Sequence, residues 1–137
     1  MSYPISATIW PDEFVWSVGT GPVPFKTDNA LYNGFSYAST HANGDTCKAQ
    51  FFLKAGTYTL HQLGILDPAA GIVVWYVDGV AQGSGQNWYA GSLTYNVLKT
   101  VGITVIGDGP HELMGVLTGK DGSSTSYYLE LIKLWIQ

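Results

Sequence analysis

The amino-acid sequence predicts an all-β protein: an antiparallel two-sheet β-sandwich of the jelly-roll kind. Glycine is frequent, with 17 among 137 residues, and aromatic residues reach 14%. Short segments of alternating apolar and polar residues follow one another between turn sequences, about eight to ten in all, which is typical of sandwiches and barrels. No segment keeps a helical period for more than one turn.

Residues 1–13 are predicted to form an N-terminal arm, and residues 14–137 a single sandwich domain. Prolines and an acidic pair in the arm allow at most a short strand at Ile5–Trp10. Further along, Gly19–Asn29 is predicted to be a turn-rich loop, and Asn33-Gly34 the turn of a hairpin.

The clearest strand pattern runs from Thr46 to Leu53, where apolar and polar residues alternate strictly. Cys47 falls on the apolar side of this strand. That position favours a buried small hydrophobic residue over a reactive thiol.

Two later strands change phase. In Thr57–Leu66 the apolar residues switch sides half-way along, and a β-bulge near His61-Gln62 would return them to one buried face. A similar switch within Tyr127–Ile136 predicts a second bulge.

The segment Gly71–Val77 is apolar on both of its alternating faces. Such a strand is predicted to lie centrally in a sheet, with both faces at least partly covered. Asp78-Gly79 then predicts a tight hairpin turn. Since the two faces cannot both line one thin core, a neighbouring subunit or other parts of the same chain must cover one of them.

Composition narrows the function classes. The net charge is −4, from ten acidic residues and six lysines, and there is no arginine. Arginine is the preferred residue for phosphate and guanine contacts, so nucleic-acid binding is not expected. No lysine cluster or long apolar run indicates a membrane partner, and the N-terminus lacks the features of a secretory signal peptide.

No catalytic residue, metal site or cofactor is predicted. The G-x-S-x-G motif is absent, the three histidines have no metal-ligand spacing, and most acidic residues lie in turns rather than in a carboxylate pair. Loop oxygens from Asn43, Asp45, Asp67 or Asp121 would suit calcium, but turn formation by Asn and Asp explains the same residues and is favoured.

Aromatic residues are the remaining signal. Exposed Trp and Tyr rings form platforms for sugars or anchors for protein interfaces, whereas the alternative is that they fill or cap the sandwich. The candidate glycan or partner contacts are Trp88, Tyr89, Tyr95, Tyr76 and Tyr127.

Four segments carry a family resemblance: Lys54–Leu60 (KAGTYTL), Val74–Val80 (VWYVDGV), Gly109–Leu113 (GPHEL) and Tyr127–Ile136 (YYLELIKLWI). From about Phe52 onward, the chain resembles the jelly-roll, carbohydrate-binding-module-like domains found in glycan-binding proteins and in phage virion proteins. The resemblance implies the fold. Binding residues in such families lie in variable loops or on one sheet face, so no individual residue is carried over.

Two functions follow as expectations. The first is a non-catalytic structural protein of a virus particle, such as a phage capsid decoration, head-fibre or tail-tip protein. It would be located in the virion, contact other virion proteins and self-associate, commonly as a homotrimer. The alternative is a glycan-binding module, either a lectin or a carbohydrate-binding module.

Overall fold

The structure, a computed structural model, describes residues 2–17, 25–27, 35–37 and 42–137. Within these ranges the elements are β1 (Ala7–Ile9), a 3-10 helix (Pro11–Glu13), β2 (Val15–Trp16), β3 (Phe25–Thr27), β4 (Phe35–Tyr37), β5 (Thr46–Leu53), β6 (Gly56–Leu66), β7 (Ile72–Val77), β8 (Val80–Asn87), β9 (Thr94–Val105), β10 (Gly109–Leu117) and β11 (Leu131–Ile136). No helix in the described part of the chain is long and apolar enough to cross a membrane.

The strands form two antiparallel sheets. Sheet I has the order β3-β4-β11-β6-β9, with β1 also paired to β11, and sheet II has the order β2-β5-β10-β7-β8. From β5 onward the chain passes repeatedly between the sheets, as it does in jelly rolls. The predicted two-sheet sandwich is therefore confirmed.

Part of the N-terminal half lies outside the described residues. This applies to the predicted turn at Asn33-Gly34 and to most of the predicted loop Gly19–Asn29, within which the structure describes only the strand β3. The short strand expected within Ile5–Trp10 is confirmed as β1. It pairs with β11, and Ile9 is buried in the main core, so this segment packs onto the sandwich.

The inner faces of both sheets meet in one hydrophobic core. In β5 every second side chain is buried, which confirms the alternation predicted for Thr46–Leu53. Cys47 is fully buried, and burial raises the pKa of its thiol to about 12. Cys47 is thus a core residue, as predicted.

The bulge predicted near His61-Gln62 is wrong. The register between β6 and β9 is continuous from Gly56 to Gly64 and shifts only beyond it, before Leu66. The physical reason is that Gln62 points into the core, where its Oε1 accepts a hydrogen bond of 2.7 Å from Trp75 Nε1. Leu63 and Ile65, on the alternate positions, pack in a separate cluster with Ile132, so the apolar residues change sides without a bulge at His61-Gln62.

The second predicted bulge is confirmed. The register of β11 on β6 shifts between Leu131 and Lys133. Near this shift Ile65 and Ile132 form a second buried cluster with Leu63, separate from the main core. The irregular pairing thus lets β11 bury side chains in two places.

Strand β7 lies between β10 and β8, so it is not an edge strand. Its side chains alternate between buried and half-buried, which confirms that both faces are at least partly covered. The predicted hairpin turn is also confirmed: Val77 pairs with Val80, and Asp78 and Gly79 have φ of 50° and 81°.

Candidate functional site

Three loops meet at the end of the sandwich where β6, β8 and β10 finish; we call it the loop end. The Asp67 N–H donates to the Trp88 carbonyl oxygen at 3.0 Å, and the Thr125 N–H donates to the Pro68 carbonyl oxygen at 3.1 Å. These bonds tie the three loops to one another. Four of the five predicted contact residues lie here: Trp88, Tyr89, Tyr95 and Tyr127.

Trp88 is a core residue. Its side chain is fully buried, with Lys99 Nζ 5.4 Å from the ring centroid. The indole also packs against Gly64, where an added Cβ would lie 3.0 Å from Trp88 Cζ3. Trp88 therefore offers no exposed ring face, which corrects its assignment as a contact residue.

The three tyrosines of the loop end are more accessible. Tyr89 and Tyr127 are half-buried, and Tyr95 is 36% exposed. Tyr127 packs partly on the core, with Lys120 Nζ 6.0 Å from its ring centroid. Their role as contacts stays a prediction.

The outer face of sheet II carries a cleft of about 400 Å³, which we call the sheet II cleft. Its volume falls at the lower end of small-ligand pockets, roughly 300–1,000 Å³. The lining residues are Glu13, Val15, Lys48, Ala49, Gln50 and Glu112.

Strand register brings the polar residues of the cleft together. Lys48 and Gln50 are two positions apart on β5, so both point outward on the same face. Gln50 pairs directly with Glu112 of β10, and Lys48 with Val15 of β2. Directly paired residues have Cβ atoms about 4.5–5.5 Å apart, so these side chains border one space.

The fifth predicted contact, Tyr76, lies on this same outer face. Met114 of β10 pairs with Lys48 on one side and with Tyr76 on the other. Tyr76 is therefore two strands away from the cleft in the same cross-strand row, and it is half-buried.

Hydrogen bonds position the Glu13 side chain and the Glu112 backbone beside the cleft. The Trp10 N–H donates to Glu13 Oε2 at 2.6 Å, which fixes Glu13 at the end of the 3-10 helix. The backbone of Glu112 is bound to the β7–β8 turn, since its N–H donates to Asp78 Oδ1 at 2.8 Å. His111, next in the chain, has Nδ1 2.6 Å from Asp78 Oδ2.

Three side chains of the cleft have free hydrogen-bonding groups. Lys48, Gln50 and Glu112 make no side-chain hydrogen bond or ion pair with any other described residue. Lys48 is a donor, Glu112 an acceptor and Gln50 both. Such a set matches a ligand whose hydroxyl groups both donate and accept.

The sequence contained part of the signal for this cleft. Lys48 and Gln50 stand on the polar side of a clear alternating strand, and Glu112 is one of few acidic residues within a strand. Nothing in the sequence links them to Glu13, because the 3-10 helix reaches this face only through the tertiary structure.

A second aromatic surface was also missed, on the outer face of sheet I. The rings of His61 and Trp135 stack with centroids 4.9 Å apart. Lys133 Nζ lies 5.2 Å from the Trp135 ring and 5.4 Å from the Trp10 ring. These groups pack on one another, so their ring faces are partly occupied by protein.

The loop oxygens considered as calcium ligands accept backbone hydrogen bonds, within a turn for Asp67 and Asp121 and from a distant loop for Asn43. Asn43 Oδ1 accepts from the Gly119 N–H at 2.8 Å, and Asp67 Oδ1 from the Ala69 N–H at 2.7 Å. Asp121 Oδ1 accepts from the Ser123 N–H at 3.0 Å. Among the residues that the structure describes, no three His, Cys, Asp or Glu side chains form a group that could hold a metal ion.

No family model matches the chain, and no curated protein matches it. Solved structures do. A family 35 carbohydrate-binding module from Clostridium thermocellum is 13% identical, with a TM-score of 0.66 over 97% of this chain and 98% of that one. A CBM35 from Paenibacillus barcinonensis is 13% identical, with a TM-score of 0.68 over 96% of this chain and 98% of that one.

A Paenibacillus xanthan lyase matches as well, at 18% identity and a TM-score of 0.79. The match covers 98% of this chain, which spans only 13% of the lyase. The likeness shows that the chain has a jelly-roll sandwich fold, which these carbohydrate-binding modules share.

These findings correct the first functional expectation. Four solved structures that match this chain over nearly the full length of both are carbohydrate-binding modules, and none of the four is a virion protein. The prediction of a phage structural protein is therefore wrong, and the virion location that followed from it has no other support.

Proposed function

We propose that this protein is a non-catalytic glycan-binding module that holds a saccharide in the sheet II cleft. The observation that carries the proposal is the convergence of unpartnered Lys48, Gln50 and Glu112 side chains on one cleft. The structural likeness to carbohydrate-binding modules supports it.

The chemistry of the cleft suits a sugar ring. Hydroxyl groups accept from the Lys48 ammonium, donate to the Glu112 carboxylate and do both with the Gln50 amide. Val15, which is 73% exposed, provides an apolar wall for the C–H groups of the ring. The half-buried ring of Tyr76 extends the same face.

A glycan array identifies a ligand, and calorimetry then measures its affinity for single variants. Lys48→Ala and Gln50→Ala are each expected to weaken binding by between about twofold and tenfold, the equivalent of one hydrogen bond. Lys54→Ala is the matched control, because Lys54 is exposed, directly follows β5 and does not line the cleft.

The loop end is tested in the same experiment with Tyr95→Ala. Loss of binding in Tyr95→Ala with unchanged binding in Lys48→Ala would move the site to the loop end. An array without any bound glycan would contradict the proposed function. Self-association stays a prediction, which light scattering on the purified protein checks.

A further inference from the structure

We infer that the sheet II cleft selects uncharged saccharides over saccharides that carry carboxylate groups, such as uronic acids. This inference rests on the proposed function and adds the chemical class of the ligand. Three charged side chains line the cleft: the carboxylates of Glu13 and Glu112 and the ammonium of Lys48. The cleft thus carries an excess of negative charge.

The lysine does not neutralise a carboxylate within the cleft. The cross-strand partner of Glu112 is Gln50, whereas Lys48 pairs with Val15 and Met114. Lys48 is therefore a diagonal neighbour of Glu112, a relation in which the residues are about 7–8 Å apart. Lys48 forms no ion pair with a described residue.

Hydrogen bonds hold the Glu13 carboxylate and the Glu112 backbone at the cleft wall. The bond from the Trp10 N–H to Glu13 Oε2 restrains the Glu13 carboxylate. The Glu112 backbone is bound to Asp78 twice: the Glu112 N–H donates to Asp78 Oδ1 at 2.8 Å, and the Asp78 N–H donates to the Glu112 carbonyl oxygen at 3.0 Å. The Glu112 carboxylate extends from this fixed backbone into the cleft. A bound carboxylate that pairs with Lys48 would therefore lie close to Glu13 or Glu112.

The charge of the whole chain acts in the same direction. With a net charge of −4 and no arginine, the protein repels an anionic ligand at long range. A neutral sugar is repelled neither by the cleft carboxylates nor by the net charge of the chain, and it still uses every donor and acceptor of the cleft. Repulsion of this kind in a solvent-exposed cleft corresponds to about a fivefold to tenfold difference in affinity.

The test compares two oligosaccharides of equal length and linkage that differ only at C6, one with hydroxymethyl groups and one with carboxylates. Calorimetry on the full chain is expected to give about fivefold to tenfold tighter binding of the neutral one. The ratio is expected to shrink in Glu112→Gln and in Glu13→Gln, and also at high salt, which screens the repulsion. Asp108→Asn, an exposed acidic residue outside the cleft, is the matched control and should keep the ratio.

Two results would overturn the inference alone. One is equal or tighter binding of the acidic oligosaccharide. The other is a preference for the neutral one that persists unchanged in the double variant Glu13→Gln/Glu112→Gln. In both cases a sugar binds, so the proposed function stands. Binding of neither oligosaccharide, together with an empty glycan array, would instead overturn the function and the inference with it.

Discussion

At the scale of single residues, Gln62 shows how one buried polar side chain shapes a strand. Its amide lies in the core and accepts the indole N–H of Trp75, so a position that looks exposed in the sequence belongs to the interior. Buried indole nitrogens normally have such a partner. The pair links the inner faces of the two sheets.

We expect Gln62→Leu to lower the free energy of unfolding by about 1–3 kcal/mol, because the buried Trp75 N–H loses its acceptor. Urea denaturation followed by tryptophan fluorescence measures the change. Thr100→Ala, on the exposed side of the neighbouring strand, serves as the control and should stay within about 0.5 kcal/mol. If the Gln62→Leu variant were as stable as the wild type, the Trp75 indole would have found another hydrogen-bond acceptor.

The Cys47 thiol has a pH-dependent effect on stability. Burial raises its pKa from 9.0 to about 12, so between these values the folded chain keeps a proton that the unfolded chain loses. The stabilisation that the buried thiol contributes is complete at pH values below the unfolded-state pKa of 9.0. It is lost progressively as the pH rises above that pKa, by about 1 kcal/mol at pH 10.

The measurement is the difference in unfolding free energy between wild type and Cys47→Ala at pH 8 and pH 10. This difference should become smaller at pH 10, since only the wild type carries the thiol. A thiol reagent at pH 8 should label the unfolded chain but not the folded one. Rapid labelling of the folded protein would contradict the burial of Cys47.

At the scale of elements, β10 is the centre of sheet II and positions the cleft. It pairs with β5 on one side and β7 on the other, and its outward residue Glu112 borders the cleft. Its inner face carries Gly115, where the Trp75 ring and the Cys47 sulfur approach the backbone. A glycine within a strand often marks such a close approach.

We expect Gly115→Ala to destabilise the fold by about 1–3 kcal/mol through overpacking. An added Cβ would lie 2.8 Å from Trp75 Cζ3 and 3.0 Å from Cys47 Sγ. Gly102→Ala in β9 is the matched control, because no atom lies within 4 Å of a Cβ added there. Thermal unfolding of both variants checks the prediction, and equal melting temperatures would contradict it.

At the scale of the whole molecule, the N-terminal segment is joined to the rest of the sandwich. Strand β1 pairs with β11, the last strand, and Ile9 is 1% exposed. The following 3-10 helix then carries Glu13 to the outer face of sheet II. One short segment thus contributes to the core, to sheet I and to the cleft.

We expect Ile9→Ala to reduce global stability by about 2–5 kcal/mol, because it leaves a cavity in the shared core. Circular dichroism and tryptophan fluorescence should report one coincident transition at a lower urea concentration. Ile5→Ala is the control, since Ile5 is 71% exposed. An unchanged urea unfolding transition in Ile9→Ala would show that β1 can detach from the sandwich without lowering the global stability.

Much of the fold was predictable, because strand alternation and tight turns depend on neighbouring residues. The Thr46–Leu53 strand, the Asp78-Gly79 hairpin and the irregularity in the last strand were all predicted correctly. The bulge predicted at Gln62 and the assignment of Trp88 as a contact residue were errors of one kind. Gln62 and Trp88 both lie in the core. Their partners there, Trp75 for Gln62 and Gly64 and Lys99 for Trp88, come from other strands of the chain.

The sequence by itself thus determined the class of fold, the sheet-forming segments and the burial of Cys47, since a local period of two decides which side of a strand is apolar. The tertiary structure alone decided that the Gln62 amide of β6 is buried among apolar side chains and which loops meet at the loop end. It also decided that Glu13, Lys48 and Glu112 share one cleft. These residues are distant in the chain. Only the fold, in which the 3-10 helix leads into β2 and β2, β5 and β10 lie side by side, brings their side chains into the same space.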